Sequence, residues 1–578
     1  MALGQTASQV APQSFQPALQ SAAGGFDLPA AAGLTPPEGA ERLTVRLAGL
    51  SIEGGLPALA PAEAALSARF IDRTVTAADL FAAAGELESA YAAEGYSLVR
   101  VVLPAQRVTD GAYLRIVVID GFLERIDTTQ LPGNIRARVA SVLAPLIGQR
   151  GLTKGDIERR LLVAGDLPAT VLRSTLARGV EDGGSVLTIE ARYKPVTGSI
   201  NGDNKLSDPL GRYTAGVGVE FNSLLGFGEQ IYVRASGAPR LDAENGFFSD
   251  LPRNRMLAAG ATVPIGIDGL SLNLEGSVSR TVPEPGAGGL QFLSDYSRYS
   301  VRLNYPLVRS RNLTVNLTGA FDIQNESQSL LNLGNLVLSE DRLRVLRTGI
   351  DLSWYAVQDG LLTAQVNGSF GLDGLDARNL AEATSSGIPL SRQGADASFQ
   401  KLEFVLGYHH DIAAHFAIDL KARAQTSFGR PLLNAEQIGL AGATGLSTFG
   451  SGLLQGDDGF VLRAEAQFPF AAPFTLPFAL PEFPTQQGTG LPSPDQTSGA
   501  LVVSPYVFAA YGGALLHQPT ALETAFTQGA SYGVGVRLGT GLQSSFSAIN
   551  LNLEYGRMER FDSGADGDRF TLTAGFQF

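Results

Sequence analysis

Over the last nine residues, Phe570, Leu572, Ala574, Phe576 and Phe578 fall on one side of an extended chain, and Thr571, Thr573, Gly575 and Gln577 on the other. Apolar/polar alternation running to a terminal aromatic describes a strand with lipid on one face and a wet lumen on the other, although a soluble edge strand shares the period. Recurrence separates the two. From Pro195 onward helical spacing vanishes and sixteen segments carry strand character: 196–203, 212–221, 229–238, 256–265, 270–279, 296–306, 311–321, 342–355, 360–372, 399–410, 414–425, 459–468, 501–513, 529–540, 546–557 and 568–578. Every second connector is short (Asn222–Gly228, Gly266–Gly269, Leu307–Ser310, Val357–Asp359, Asp411–Ala413, Gly541–Ser545), and those between are mostly long and polar (239–255, 322–341, 373–398, 426–458). Short turns on one rim and long loops on the other are the asymmetry of an outer-membrane barrel. One connector, the Pro-rich 469–500, is long on the short-turn side, which means either a hidden strand pair or a real insertion. Aromatics at strand ends, among them Tyr213, Phe221, Tyr232, Trp354, Tyr355, Tyr408, Phe460, Phe468 and Phe470, suit interfacial girdles. Lipid leaves no unpaired backbone group satisfied, so such a sheet has to close. The expected fold over 196–578 is an all-β, transmembrane, 16-stranded antiparallel β-barrel.

Upstream the period changes. Residues 42–123 read β-α-α-β-β: Leu43–Ile52 alternates, Thr76–Glu94 has helical spacing with Thr76 as N-cap, and Tyr96–Leu103 and Tyr113–Val118 are β-rich around the turn Thr109-Asp110-Gly111. Residues 124–195 repeat the plan, with a strand at Leu123–Asp127, helices at Asn134–Leu146 and Lys154–Ala164, and strands at Val171–Leu176 and Ser185–Tyr193. Two small α+β modules in tandem are expected. Residues 1–41, rich in Ala, Gln, Pro and Gly, read as a leader or linker, or as a short plug helix around Ala7–Ala22 that Pro12 and Pro17 weaken.

Composition narrows the class. No apolar run approaches the ~18 residues a membrane helix needs, and 68 glycines and 30 phenylalanines beside 17% charged residues suit strands diluted by a lumen face. With no cysteine there is no disulfide framework, thiolate metal site or cysteine nucleophile. A net charge of −13 argues against a nucleic-acid partner. Met1–Ala40 holds no Lys or Arg and no continuous apolar core, so it does not read as a signal peptide, and the expectation is a mature exported chain.

Catalytic and metal chemistry find no support. His409 and His410 point to opposite faces of a strand, and with His415 they lack convergent carboxylates. Asp457-Asp458 between glycines lacks the spacing of a calcium cage. No nucleophile elbow is present. No cofactor, metal or enzymatic activity is expected.

In the first module, Tyr91-Ala-Ala-Glu94-Gly95-Tyr96, then Val101-Val102-Leu103-Pro104-Ala105-Gln106, Asp110-Gly111 and Val117-Val118-Ile119-Asp120-Gly121 stand out as a run of motifs. In the second, Gly151-Leu152-Thr153, Asp156-Ile157-Glu158-Arg159, Leu161-Leu162 and Asp166-Leu167-Pro168 do so, and in the barrel Asp203-Asn204, Asn222-Ser-Leu-Leu-Gly226-Phe-Gly228-Glu-Gln230 and Tyr305-Pro306-Leu307. Together they resemble the TpsB transporters of two-partner secretion, the haemolysin secretion/activation proteins, over about residues 42–578. The resemblance implies two periplasmic POTRA modules (42–123 and 124–195) before an outer-membrane barrel, a TpsA-like exoprotein as cargo, lipid around the barrel, and the barrel-assembly machinery as a partner in biogenesis, read from Phe576 and Phe578. It implies that Tyr91, Gly95, Tyr96, Pro104, Gln106 and Gly111 serve cargo binding, by strand addition beside Tyr96–Pro104 and the helix Thr76–Glu94. A related reading is an assembly factor for other outer-membrane proteins.

The resemblance also implies a long sixth loop, 426–458, folded into the lumen and tipped by an arginine that pairs with a wall aspartate. Here Gly456-Asp457-Asp458-Gly459-Phe460 keeps the end of that loop motif, but the tip is Leu446-Ser447-Thr448-Phe449, with Ser447 in the arginine position, and the wall reads Phe508-Ala509-Ala510-Tyr511-Gly512, with Ala510 in the aspartate position. Loss of both is chemically consistent, since either alone leaves an uncompensated charge. Arg463 and Glu465, lumen-facing on the following strand, are the candidate replacements.

Overall fold

The computed structural model describes residues 6–11, 35–240, 244–285, 289–357, 360–477, 486–487, 497–542, 546–562 and 564–578. The expected helix 7–22, the tips of the turns at 357–359 and 541–545, and most of 476–497 therefore lie largely outside the described residues.

In the first module, strands β1 (Thr44–Glu53), β2 (Arg73–Thr76), β3 (Arg100–Val102) and β4 (Ala112–Ile119) form a sheet in the order β2-β1-β4-β3, packed against helices α1 (Ala60–Ala68) and α2 (Ala77–Ala93). Helix α2 begins where a capping box can form. Thr76 Oγ1 accepts from the Asp79 amide at 3.2 Å, and the Asp79 carboxylate accepts from the Thr76 amide at 2.8 Å. Its apolar positions Leu80, Ala83, Ala84, Leu87 and Tyr91 recur at helical spacing and close the core with Leu47, Val101, Leu114 and Ile116. The second module repeats the device: Thr153 and Asp156 cap α4 (Lys154–Gly165), which packs with α3 (Gly133–Leu143) over β5 (Phe122–Asp127), β6 (Thr170–Arg178) and β7 (Gly184–Tyr193). Helix α1 and strand β2 are short and carry no alternation of their own, which is why the sequence did not locate them.

From Val196–Asp203 to Gly567–Gln577 the described residues form a closed antiparallel barrel of sixteen strands, one of them written in two pieces, Asp458–Gln467 and Phe470–Thr475, both paired with Ser498–Leu515. Its pattern is inverted relative to a water-soluble sheet. Along Leu270–Thr281, Leu274 and Val278 are 48% and 45% exposed, whereas Glu275, Ser277 and Ser279 are 7%, 3% and 4% exposed. The last strand meets the first over Thr573↔Asp203 to Gln577↔Ser199, and Phe578 and Gly198 exchange backbone bonds of 2.9 Å.

Two expectations change. Residues 322–341 were expected as a loop, but Leu313–Leu330 and Leu336–Val357 continue their ladder through Leu330↔Leu336. The alternation there is between polar residues, with Asp322, Gln324, Glu326 and Gln328 buried, so a hydrophobicity pattern misses it. Among the described residues of the 469–500 connector, the two flanking strands run further, to Thr475 and from Ser498, and Gln486–Gln487 forms a two-residue strand paired with Tyr193 and Arg192 of β7 rather than with the barrel.

The second module is seated on the barrel rim. Arg160 donates to the Ile267 carbonyl at 3.0 Å and pairs with Asp268 at 2.9 Å. Arg159 donates to Pro306 O at 3.1 Å, Glu158 accepts from the Arg311 amide at 2.8 Å, Arg309 pairs with Asp166 at 2.6 Å, and Asn134 donates to Ser223 O at 3.2 Å. Three successive short turns are thus read by α3, α4 and the residues that follow. Gly228, at φ +83°, lets the rim approach: a Cβ there would lie 2.6 Å from Leu167. Tyr193, fully buried, donates to the Asn222 carbonyl, and burial together with nearby Glu229 pushes its hydroxyl up to about 12.

A double-mutant cycle on Arg309→Ala and Asp166→Ala tests this seat. Either single change is expected to speed hydrogen exchange in α4, and the double change to add little, a coupling of about 1 kcal/mol for a half-exposed pair. Strictly additive effects would show that the pair does not hold the module.

Candidate functional site in the barrel lumen

The loop 427–457 folds into the barrel. Its two arms pair through Ile438↔Gly456 and Gly439↔Gln455. At its root, Glu436 is 1% exposed and binds the wall cations Arg347 at 2.5 Å and Lys401 at 2.8 Å, with Arg347 also paired to Asp322 at 2.7 Å. Asp457 is fully buried; one carboxylate oxygen accepts from the Leu432 amide at 2.9 Å and Gln437 Nε2 at 3.0 Å, the other from the His517 amide at 2.7 Å. Gly456 and Gly459 lie where the loop rejoins the wall, and a Cβ at either would reach the backbone of the neighbouring strand.

The tip carries no charge of its own and is held from the wall. Arg463 Nη1 donates to Ser447 Oγ at 2.7 Å. The same guanidinium pairs with Glu465 at 2.7 Å and Glu554 at 2.6 Å, lies 4.1 Å over the Phe508 ring, and is bordered by Arg537, which pairs with Glu465 at 2.6 Å. Two cations and two carboxylates leave the buried cluster neutral, as a desolvated site requires. Thr571 donates to the Ser447 carbonyl at 3.4 Å, and Thr448 shares a hydrogen bond with Ser531. Phe449 packs with Ile438, Leu440, Leu446, Leu454 and Val461 in an apolar cluster that includes Ala510. A Cβ on Gly529 would fall 2.5 Å from the Phe449 ring, so that glycine makes the room. Ala510 sits opposite Arg463 in the strand register and contributes a methyl to the cluster instead of a charge.

A second element shares the lumen. Residues 6–11 include a 3-10 turn, Ala7–Gln9, whose Ala7 is fully buried. The Ser8 amide and hydroxyl donate to Glu326 at 3.1 and 2.9 Å, the Ala7 amide donates to Ser294 Oγ at 2.9 Å, Ala7 O accepts from Ser279 Oγ at 2.8 Å, and Gln9 donates to Gln455 of the loop at 2.7 Å. Beneath it a cavity of about 1130 Å³ runs toward β6, lined among others by Arg234, Arg302, Arg423, Glu220, Glu403 and Asp351.

The structure thus brings Arg463, Glu465, Ser447, Phe449 and Ala510 together. Glu436, Arg347, Lys401, Glu554 and Arg537 escaped sequence reasoning, because partners such as Arg463 and Glu554 lie on non-adjacent strands and no local spacing links them.

The six first-module residues do not form one exposed patch. Tyr91 is fully buried; its hydroxyl donates to Glu63, accepts from the Leu56 amide at 2.8 Å, and is pushed up to about 12 by burial and by Glu63. Tyr96 meets it edge-on at 6.3 Å. Gly95 and Gly111 occupy left-handed turns at φ +92° and +82°. Gly95 O accepts from the Lys154 amide at 2.7 Å, linking the modules. After Pro104, Gln106 uses its carboxamide as a strand substitute, accepting from the Arg115 amide at 2.9 Å and donating to Arg115 O at 2.7 Å.

A family model described as haemolysin secretion/activation protein ShlB/FhaC/HecB matches residues 183–480, just over half the chain, and a ShlB-type POTRA domain model matches residues 49–121. The heme/hemopexin transporter protein HuxB of Haemophilus influenzae is 21% identical over 406 residues, 68% of this chain and 67% of that one. The outer membrane transporter CdiB of Escherichia coli O6:K15:H31 is 23% identical over 419 residues, 72% of this chain and 66% of that one. Among solved structures, CdiB from Escherichia coli matches with a TM-score of 0.66 at 20% identity, covering 99% of this chain and 95% of its own, a likeness of fold.

Single-channel recording tests the tip. Ser447→Ala is expected to loosen the loop by about 1 kcal/mol, roughly fivefold more open time. Arg463→Ala, which leaves Glu554 without its cation while Glu465 keeps Arg537, is expected to cost more, about 3–5 kcal/mol. Equal effects, or none, would place the latch elsewhere.

Proposed function

The chain belongs to the haemolysin secretion/activation (ShlB/FhaC/HecB) family, TpsB-type transporters of the bacterial outer membrane whose POTRA modules are periplasmic and whose partners are TpsA exoproteins, and from that premise we propose that it takes one unfolded exoprotein from the periplasm and passes it through its own barrel to the cell surface. The observation that carries this reading is the lumen: polar, continuous with the second module, and obstructed by two elements held through side-chain contacts rather than by the barrel wall. Side-chain latches release at a cost of a few kcal/mol each, whereas opening the wall would break a backbone ladder.

Recognition at the modules is by strand addition, in which cargo backbone pairs with a free sheet edge. In the first module the receiving groove lies between Tyr96–Pro104 and α2, with Gly95, Gly111, Tyr91 and Gln106 shaping it from within. Gln106, by occupying β4 beyond the end of β3, limits cargo to the short edge that remains. The boundaries at 41, 123 and 195 divide leader, first module, second module and barrel. The exposed apolar wall is solvated by outer-membrane lipid, and the stacked Phe576 and Phe578, 5.5 Å apart, present the C-terminal signal to the barrel-assembly machinery. No ATP-binding motif is present in the sequence, and folding of the cargo outside supplies the direction.

Comparing surface and medium proteins of cells with and without this gene tests the reading. Loss of one large exoprotein is expected; a joint fall of many outer-membrane proteins would instead favour an assembly factor. Deleting residues 440–456 is expected to raise single-channel conductance in planar bilayers, and unchanged conductance would remove the loop from the role of obstruction.

A further inference from the structure

The loop 372–399 joins the ninth and tenth barrel strands, Gly360–Gly371 and Gln400–Ala413, on the rim opposite the modules. It is a folded unit and not a slack connector. Its helix α5 (Leu380–Ser386) is capped by Asn379, whose side chain accepts from the Glu382 amide at 2.9 Å. Arg378, 2% exposed, donates to the Glu340 carbonyl and to Ser386 Oγ at 2.7 Å, which pins both ends of the helix to the adjoining strand. The chain leaving α5 stays on that strand for two further bonds. The Glu340 amide donates to Pro389 O at 3.1 Å, and the Ser391 amide donates to the Asp341 carboxylate at 2.9 Å.

Beyond that point the segment meets both arms of the lumen loop. Leu390, Ala395 and Ala397 share an apolar cluster with Leu432 and Leu433 of the outgoing arm. Ser391 Oγ accepts from the Asn434 amide at 3.2 Å. Arg392 reaches the returning arm, with its guanidinium 3.7 Å from Asp457, the buried carboxylate that ties the two arms together through the Leu432 amide. The same guanidinium pairs with Glu523 and donates to His517 O at 3.3 Å, both on the loop 516–525 after the thirteenth strand.

Arg392 is only 6% exposed, and among the described residues no other cation lies within 4 Å of Asp457 or Glu523. A planar guanidinium can serve two carboxylates at once, which a lysine ammonium does less well. One side chain therefore ties three loops: its own, the root of the lumen loop, and 516–525. The ion pairs of Glu436 with Arg347 and Lys401 belong to that same root. Leu432–Asn434 and Asp457 cannot move outward without displacing the segment packed against them.

We propose that residues 389–397 form a strap over the root of the lumen loop, locked by Arg392, and that the strap has to lift before the root can leave the barrel. That the root must leave rests on the transporter reading above; the lock itself rests on the contacts of Arg392. It acts at the opposite end of the loop from the Ser447 contact, so the tip and the root are held by separate devices.

The absence of cysteine makes the test clean. Leu433→Cys places a thiol under the strap, and a membrane-impermeant maleimide added to whole cells is expected to label it slowly. Arg392→Gln is expected to speed that labelling at least about tenfold, because it leaves two carboxylates without their cation. Glu523→Gln, which releases the strap on the far side only, is expected to speed it less. Heat-modifiable migration shows whether each barrel has formed, and if the Arg392→Gln barrel does not form, Glu523→Gln carries the test. Unchanged labelling in the variants that form barrels overturns the proposal. Arg392→Cys with Glu523→Cys, joined by a reducible bis-thiosulfonate linker, then replaces the ion pair by a covalent tie. Export of the exoprotein that disappears on gene deletion is expected to stop while the linker is in place and to recover on reduction. A linked strap that leaves export unchanged overturns the proposal. Failure of the transporter reading shows separately, as an unchanged secretome on gene deletion, while the labelling rates still judge the lock.

Discussion

A strand in hydrocarbon has no water to satisfy its amides, and this constraint organises the molecule. The wall from Val196 to Gln577 has to be a closed ladder, and closure forces inversion: Leu274 and Val278 outward, Glu275 and Ser279 inward. Once the polar face is enclosed, every lumen charge needs a partner inside it. The ion clusters of Glu275 with Arg298 and Arg302, of Glu436 with Arg347 and Lys401, and of Arg463 with Glu465 and Glu554 follow from that requirement.

Those clusters explain how a lumen loop can survive the loss of a motif residue. A tip arginine facing a wall carboxylate is one way to dock a loop. Here the cation stands on the wall, where Arg463 and Arg537 balance Glu465 and Glu554, and the loop offers Arg463 the Ser447 hydroxyl and the Gly445 carbonyl, neither of them charged. The wall is then neutral with or without the loop, so withdrawal of the tip leaves no new buried charge. At the root the polarity reverses, with Glu436 on the loop and its cations on the wall, and withdrawal there breaks two ion pairs. The tip is therefore the cheaper end to release.

Strand positions were legible because lipid and lumen impose a strict period of two, and the notable error, at 322–341, came where that period runs through polar residues on both faces. Helix α2 was legible through Thr76, whose capping box is local; α4 carries the same local signal at Thr153, which the sequence reading did not single out. Arg463 and Glu465 were legible as lumen-facing by alternation, but Glu554 was not, since 91 residues separate it from Arg463 and only the curvature of the wall unites them. Tyr91 shows the opposite limit: its place in a motif suggested a contact surface, while its burial and its bonds to Glu63 and Leu56 make it part of the module's core.

Several residues that carry the family resemblance prove to be contacts between parts rather than parts of a pocket. Glu158, Arg159 and Asp166 reach the rim at Arg311, Pro306 and Arg309; Asn222 joins Tyr193, and Gly228 admits Leu167. A surface that must mate with three turns at once tolerates few substitutions, whereas a surface that pairs with cargo through backbone groups tolerates many. Residue motifs are therefore expected where modules and barrel meet, and weak sequence signals where cargo is received. On the proposed reading the short free edge of the first module is of that second kind: defined by where its strand ends, at Val102, and not by which side chains it bears.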